Sequence, residues 1–430
     1  MKVLTKKLTL LKHKSQFLVI FTLQFLNSSF AVVPNLEFQV NRNISLFHLI
    51  YFEKAQEPKY KALFDEIESS FDSISADDYD KAEFMTNLAE MDKAKYRHKF
   101  MTPTFMELWR KAGEKYDRQF DSEAEVLNDR CAELKTYTNK ILSKSGVDFS
   151  SVFDFYSSSL KKNTKFKIFV CSTLKNESSF AKAFGENIML KFNYANKVAD
   201  TCELLEQICH TLFKTMVLPK ALSNFFYEHK SKNAYPAYNL LDDILAHAIA
   251  KLWAIENLPK PHDSIITKPK DERVDFLAKR ILPTINDYLK RHAKIDKDFV
   301  DKYMGLVDKH YPNLYRDFKV TMHSISLIVE NGIDYTECAK VVKSQFGTKE
   351  IISEPGSYTT VFIGKNLGHP VLRTLQDKLP KKNKDYLFIK LHKGKLFFVY
   401  NTDNLNKIKH ARDQIQEQPP LSRGITFYLD

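Results

Sequence analysis

The stretch Thr201-Cys-Glu-Leu-Leu-Glu-Gln-Ile-Cys-His-Thr-Leu-Phe213 decides how the middle of this chain folds. Glu206 and His210 are four residues apart, so on a helix they lie on one face. Residues suited to a buried face recur at helical spacing, which predicts a helix over 195–216 that ends before Pro219. The residues of that buried face are Leu204, Leu205, Ile208, Thr211 and Leu212.

Strand-like runs precede this helix, and a second helical run follows it. Residues 166–171 are rich in β-branched and aromatic side chains, and residues 187–192 follow the turn residue Gly185. Together they predict a hairpin at the edge of a sheet. The periodicity of residues 238–257 predicts the second helix, which carries Asp243 near its start.

The run Glu206-Gln207-Ile208-Cys209-His210 stands where a metal-binding motif would be. In zinc metallopeptidases, H-E-x-x-H on a helix supplies two His ligands and a Glu that activates water. With the hairpin before it and an acidic helix after it, segment 150–260 resembles the gluzincin-type metallopeptidases. The resemblance implies a zincin-like fold, metal-ligand positions at Glu206, His210 and Asp243, and Gln207 at the general-base position.

The motif is degenerate, and its departures from the family pattern have chemical consequences. Gln207 cannot accept a proton at neutral pH, so it cannot act as a general base. Asp243 is one methylene shorter than the Glu that the family carries there. Glu206 offers oxygen in place of nitrogen, which suits harder metals. The resemblance therefore implies a proteolytically inactive relative, with no cofactor expected and zinc left open.

Three functions remain open on the sequence alone. The first is an inactive metallopeptidase-like protein that binds a peptide or protein partner, with an edge strand of the 166–192 hairpin available for strand addition. The second is an active metal-dependent hydrolase with the unusual ligands Glu206, His210 and Asp243. The third is an unrelated helical secreted protein, in which 195–216 and 238–257 are packing helices. Asp243 and His247 repeat the acid–His spacing of the motif.

The first 31 residues have the organisation of a secretory signal peptide. Five lysines precede an apolar run over 17–26, and Ser29-Phe30-Ala31 is a small-x-small cleavage site. Ten apolar residues are too few to span a bilayer, which takes about twenty. We expect cleavage after Ala31 and a periplasmic or extracellular protein with no membrane span.

The net charge and the cysteine content limit which kinds of partner and which cellular compartment fit the sequence. Loss of residues 1–31 lowers the formal net charge from +12 to +7, because it removes five Lys and no acidic residue. The remaining lysines are scattered, which argues against a nucleic-acid partner. The five cysteines match no metal-binding spacing. One or two disulfides and buried free thiols both remain open.

The fold class follows from composition and from the order of elements. Glycine is scarce, with 11 in 430 residues, against a usual share of about 7%. Long amphipathic runs then predict a mostly helical α+β protein. We expect an N-terminal helical region over 32–149, the metallopeptidase-like segment over 150–260 and a helical region over 261–349. Strand runs over 358–363, 386–391 and 395–400 predict a small α/β unit over 350–430.

Overall fold

The chain folds into helices and two mixed β-sheets, which confirms the α+β class. The computed structural model describes residues 34–53, 61–66, 78–91, 101–144, 148–171, 180–191, 197–217, 219–257, 271–348, 350–352, 359–380, 384–392, 395–414 and 424–429. The expected signal peptide over 1–31 lies outside these ranges. None of the described helices is both long enough and apolar enough to cross a bilayer.

Helices form most of the first three quarters of the chain. Residues 61–66 are helical, and residues Leu49–Glu53 continue α1 as one turn of π-helix. The α-helices are α1 (Arg42–His48), α2 (Asp78–Ala89), α3 (Pro103–Lys144), α4 (Phe149–Tyr156), α5 (Lys197–Lys214), α6 (Pro219–Glu228), α7 (Ala234–Asn257), α8 (Glu272–Lys290), α9 (Lys297–His310), α10 (Phe318–Thr321), α11 (Tyr335–Phe346) and α12 (Leu405–Gln414).

The two helices predicted around the motif are present as α5 and α7. Pro219 does not only end the first of them: it is also the first residue of α6. A proline fits this first helical position because its missing N–H would have no partner there. Residues 42–48, within the region expected to be helical, form α1, and Asn41 caps this helix by accepting a hydrogen bond from the backbone N–H of Ile44.

The first sheet has four strands, in the order β1, β2, β4, β3. They are β1 (Asn35–Gln39), β2 (Lys165–Cys171), β3 (Phe180–Phe184) and β4 (Asn187–Lys191). The predicted hairpin between the two strands now labelled β2 and β4 is wrong, because these strands pair in parallel. The hairpin is formed instead by β3 and β4 around Gly185, whose φ of 57° suits a glycine. This places β3 at an edge of the sheet, antiparallel to its neighbour.

Both faces of this sheet are covered, so its two central strands, β2 and β4, are mostly buried. Ile168 and Val170 of β2 point into a core shared with α5, α7 and α8. Phe169 and Cys171, one position along, point into a second core formed by α1, α2 and the start of α3. The alternation of successive side chains fixes which residues meet α5.

The C-terminal part forms the α/β unit that the sequence predicts. Its sheet has the order β10, β8, β9, β7, β5, β6. Residues 261–349 were expected to be helical throughout, yet β5 lies within them and joins this sheet by pairing with β6 and β7. The strands are β5 (Ser324–Val329), β6 (Glu350–Ile352), β7 (Thr359–Ile363), β8 (Tyr386–His392), β9 (Lys395–Asn401) and β10 (Ile425–Tyr428).

Candidate functional site

The residues of the degenerate motif lie where α5 packs against α7. Glu206 contacts His247, whereas His210, one turn further along α5, contacts Asp242. Rising numbers on α5 thus meet falling numbers on α7, so the two helices run antiparallel. The opposite face of α5 is apolar and buried, with Leu204, Ile208 and Leu212 in the main core. That burial holds the polar face against α7.

A line of charged side chains crosses from α5 through α7 to α8. Oε1 of Glu206 lies 2.6 Å from Nδ1 of His247, and Nε2 of the same ring lies 3.3 Å from Oδ1 of Asp275. The side chain of His247 is only 3 % exposed. The imidazole therefore bridges two acidic groups on different helices.

Asp275 is the point where this line meets two ammonium groups. Lys251 of α7 donates a hydrogen bond to Asp275, and Nζ of Lys279 lies 3.1 Å from its other oxygen. Burial alone would raise the pKa of Asp275, but the hydrogen bonds from Lys251 and Lys279 outweigh it and lower that pKa well below its usual range. Asp275 therefore stays ionised and balances the largely buried Lys251.

His210 forms a second pair, with Asp242. Its Nδ1 lies 2.9 Å from Oδ1 of Asp242, and the His210 side chain is 19 % exposed. The contact is a charge pair rather than an aligned hydrogen bond, since Oδ1 of Asp242 has no hydrogen-bond partner among the described residues. Burial lowers the pKa of His210, but the carboxylates of Asp242, Asp243 and Glu206 outweigh it and raise that pKa overall.

Asp243, the third predicted ligand position, lies close enough for its charge to act on both His210 and Asp271. Asp271 caps the start of α8 by accepting a hydrogen bond from the backbone N–H of Arg273. The guanidinium of Arg273 is shared between Asp271 and Asp317. Asp243 thus faces an acidic helix start whose charge is already compensated by an arginine.

The structure brings Glu206, His210 and Asp243 into one neighbourhood but does not join them as one ligand set. Glu206 is paired with His247, and His210 is paired with Asp242. Within the ranges that the structure describes, no group of three or more His, Cys, Asp or Glu side chains is arranged to hold a metal ion. The metal-ligand role of these residues stays a prediction.

Gln207, at the general-base position, connects α5 to the edge of the first sheet. Its Oε1 accepts a hydrogen bond of 3.0 Å from the backbone N–H of Ala183 in β3. One turn later, Oγ1 of Thr211 donates a hydrogen bond of 3.0 Å to the carbonyl oxygen of Gly185. These two contacts fix α5 beneath the β3–β4 hairpin. Gln207 therefore accepts a hydrogen bond from a backbone N–H of β3 that is not paired with β4.

All five cysteines are buried and free, so the structure supports the free-thiol alternative. Burial raises the pKa of Cys202 to about 12 and that of Cys131 to about 11. Cys209, beside His210 in sequence, lies in the apolar core, and its pKa is raised well above the usual range by burial. Its thiol is therefore unsuited to act as a nucleophile.

Four residues that contact or neighbour the predicted ligand positions were not among the predicted site residues: Asp242, His247, Lys251 and Asp275. His247 had a sequence signal, the i, i+4 spacing from Asp243, but its contacts are with Glu206 and Asp275. Asp242 differs from Asp243 only by one position on the same helix. Asp275 and Lys251 carried no sequence signal, because their role depends on how α8 packs on α7.

Comparison of the chain with protein-family models, with curated proteins and with solved structures found no match. The interpretation of the site therefore depends on its own geometry.

Proposed function

We propose that this chain is an exported binding protein that is built on a metallopeptidase-like helix pair and does not hydrolyse peptides. One observation carries the proposal. Glu206 and His210, at two of the expected ligand positions, each have a close partner on α7, at 2.6 Å and 2.9 Å. A metal would have to replace these contacts, and breaking a largely buried charge pair is costly. Gln207 also lacks a basic group to activate water.

The geometry of β3 supports an extended peptide as the partner. The N–H of Ala183 points away from β4, because it donates to Gln207. Ala181 is two residues earlier in the same strand, so its backbone groups point in the same outward direction. Ala181 is 4 % exposed, so a further strand that pairs with this edge through main-chain hydrogen bonds has to displace the groups that cover it. The exposed Lys182 between them would favour an acidic peptide.

The absence of peptidase activity can be tested on the purified mature protein. We expect it to carry no stoichiometric zinc and to leave a mixed peptide pool uncut. The variant Glu206→His/Gln207→Glu introduces the first His and the Glu of the H-E-x-x-H motif at positions 206 and 207. The single variant Gln207→Glu serves as its matched control. Peptide cleavage by the double variant alone would support the resemblance of α5 and α7 to the helix pair of a metallopeptidase. Chelator-sensitive cleavage by the natural sequence would contradict the proposal and favour the active hydrolase.

Peptide binding at β3 can be tested with a single proline. Ala181→Pro removes an outward N–H without removing a hydrogen bond to β4, and proline is tolerated at such edge positions. We expect this variant to lose binding to acidic peptides selected from a peptide library, whereas Ala181→Gly, which keeps the N–H, retains it. Equal binding by both variants would exclude strand addition at this edge.

Export is the remaining part of the proposal, supported by the basic, apolar and small-residue order of the first 31 residues. The segment fused to alkaline phosphatase, which needs disulfides that form in oxidising compartments, should give active enzyme. The mature protein from its natural source should begin at Val32. A soluble protein that keeps Met1 would contradict export without affecting the binding proposal.

A further inference from the structure

A cavity of about 350 Å³ lies where the helical part of the chain meets the C-terminal sheet. Its walls come from the connection between α6 and α7, the first residues of α7 and the end of α10. The strands β8 and β9 contribute Leu391 and Leu396. Small-molecule sites occur preferentially at such junctions, and the volume lies in the range of known ligand pockets, roughly 300 to 1,000 Å³.

Hydrogen bonds hold the walls of this junction cavity in place, and the first of them joins the helical part to the C-terminal sheet. The hydroxyl of Tyr235 donates to the carbonyl oxygen of Ser324 at the start of β5, over 2.9 Å. The backbone N–H of Tyr315 donates to Oδ1 of Asn233, over 3.0 Å. Because both Tyr235 and Tyr315 line the cavity, its shape is set before any ligand enters.

The charged residues that line the cavity are all basic. Lys230 and Lys232 are exposed at its rim, and no carboxylate belongs to the described lining. The nearby Asp308 accepts hydrogen bonds from Ser231 and Asn233, so it is turned to those groups. The cavity therefore offers two ammonium groups to a negatively charged ligand.

Aromatic rings stand beside these cations. Nζ of Lys232 lies 5.8 Å from the ring centre of Tyr315, and the guanidinium of Arg316 lies 5.5 Å from the same ring. Nζ of Lys395 lies 5.8 Å from the ring of Tyr227, which is 49 % exposed. A planar group stacked on either ring would thus have a cation within reach of its substituents.

The floor of the cavity is apolar except for one hydroxyl. Phe226, Leu391 and Leu396 supply apolar surface. Thr321 also lines the cavity, is 2 % exposed, and its hydroxyl has no hydrogen-bond partner among the described residues. A buried hydroxyl without a hydrogen-bond partner lowers the stability of the fold. Groups that are unfavourable for stability are typical of binding sites.

We propose that the junction cavity binds a small organic anion that carries one aromatic ring. The anionic group, a phosphate or a carboxylate, lies toward Lys230 and Lys232, and the ring lies against Tyr315 and the apolar floor. This site is separate from the α5–α7 helix pair and from β3, so it does not depend on the proposed peptide binding.

Calorimetric titration of the full chain tests the ligand class. The probes are phenyl phosphate and benzoate, with inorganic phosphate and acetate as their respective anionic halves and benzyl alcohol as the uncharged aryl half. We expect at least one aryl anion to bind about tenfold more tightly than either of its halves, because ring stacking and charge act together. The stronger of the two aryl anions identifies the anionic group. Aryl anions that bind no better than inorganic phosphate would overturn the proposal, as would binding of an acidic aromatic peptide alone.

Matched variants test the position of the site. Lys230→Met/Lys232→Met should weaken binding of the aryl anion about tenfold and reduce its dependence on salt. Lys294→Met, an exposed lysine at a different cavity, should leave it unchanged. Tyr315→Leu should reduce the aryl anion to the affinity of its anionic half. Unchanged binding in the lysine double variant would overturn the proposal, and thermal unfolding of each variant confirms that it is folded.

Discussion

Oε1 of Glu206 lies 2.6 Å from Nδ1 of His247, and the imidazole is almost fully buried. Position 206, which the sequence predicts as a metal-ligand position, thus holds an acidic group that contacts a histidine of α7. The other ring nitrogen of His247 faces Asp275, so one ring connects α5, α7 and α8. Substitutions at Glu206 or His247 should therefore change the stability of the packing of these three helices.

Replacement of His247 by Leu should destabilise the protein. The change leaves the carboxylate of Glu206, whose side chain is 16 % exposed, without its partner. An unpaired, largely buried charge costs several kcal/mol, and the residual exposure of Glu206 reduces this to about 2 to 3 kcal/mol. Urea unfolding at neutral pH measures the difference in the free energy of unfolding.

The double variant Glu206→Leu/His247→Leu should be more stable than the sum of the two single changes, because it removes both partners together. His292→Asn is the matched control. It alters a His–Asp pair in which the imidazole is 50 % exposed, and the effect should stay within about 0.5 kcal/mol. Additive single changes would mean that the Glu206–His247 contact contributes nothing.

The pairing of His210 with Asp242 should appear in the pH dependence of stability. The pKa of His210 is raised above its ordinary 6.5 by neighbouring carboxylates. A raised native pKa contributes stability that is complete below pH 6.5 and is lost as the pH rises through the native pKa. As the pH rises above 6.5, the free energy of unfolding should therefore fall, by no more than about 1.4 kcal/mol per pH unit.

Asp242→Asn should flatten this part of the profile, because it removes the first of the carboxylates that raise the pKa of His210. Asp154→Asn, at the half-exposed pair with His292, serves as the control and should leave the profile as it is. Urea unfolding across the pH range gives both profiles. An Asp242→Asn profile that is as steep as that of the parent would show that the pair does not form.

The elements of the fold that could be predicted are those with strong local signals. Helices α5 and α7 follow from apolar residues at helical spacing, and the strands β7, β8 and β9 follow from runs of β-branched and aromatic residues. The strand β3 was missed because its sequence, Phe-Ala-Lys-Ala-Phe, is short and rich in alanine, which strands disfavour. Pairing with β4 around Gly185 is what makes it a strand.

Only some of the contacts in the candidate site could be predicted from the sequence. Glu206 and His210 are correctly placed on one face, because helical geometry alone determines that. The choice between Asp242 and Asp243 as the partner of His210 depends on how α7 is rotated against α5, which adjacent positions cannot reveal. Asp275 joins the line only because α8 packs on α7, and that contact is set by tertiary structure.

The thiols of the native protein should be unreactive. All five cysteines are buried and free, and burial raises the pKa of Cys131 and Cys338 to about 11 and that of Cys202 to about 12. The thiolate, which is the reactive form, is therefore scarce at neutral pH. Titration with Ellman's reagent should detect no fast thiol in the folded protein and five after unfolding in urea. Fewer than five would reveal a disulfide.

Gln207 should stabilise the protein through the edge strand. Its Oε1 accepts the N–H of Ala183, so Gln207→Met, of similar size, leaves that N–H without its acceptor. The loss should cost about 1 to 2 kcal/mol in urea unfolding, the usual penalty for a partly buried donor without a partner. Gln207→Glu keeps an oxygen at the same place and should cost less than Gln207→Met, although its charge lies one residue from Glu206. Equal losses in both variants would mean that packing of the side chain, rather than the hydrogen bond to β3, is what α5 needs at this position. A smaller loss in the Glu variant would show that an acceptor oxygen at position 207 helps to hold the edge strand.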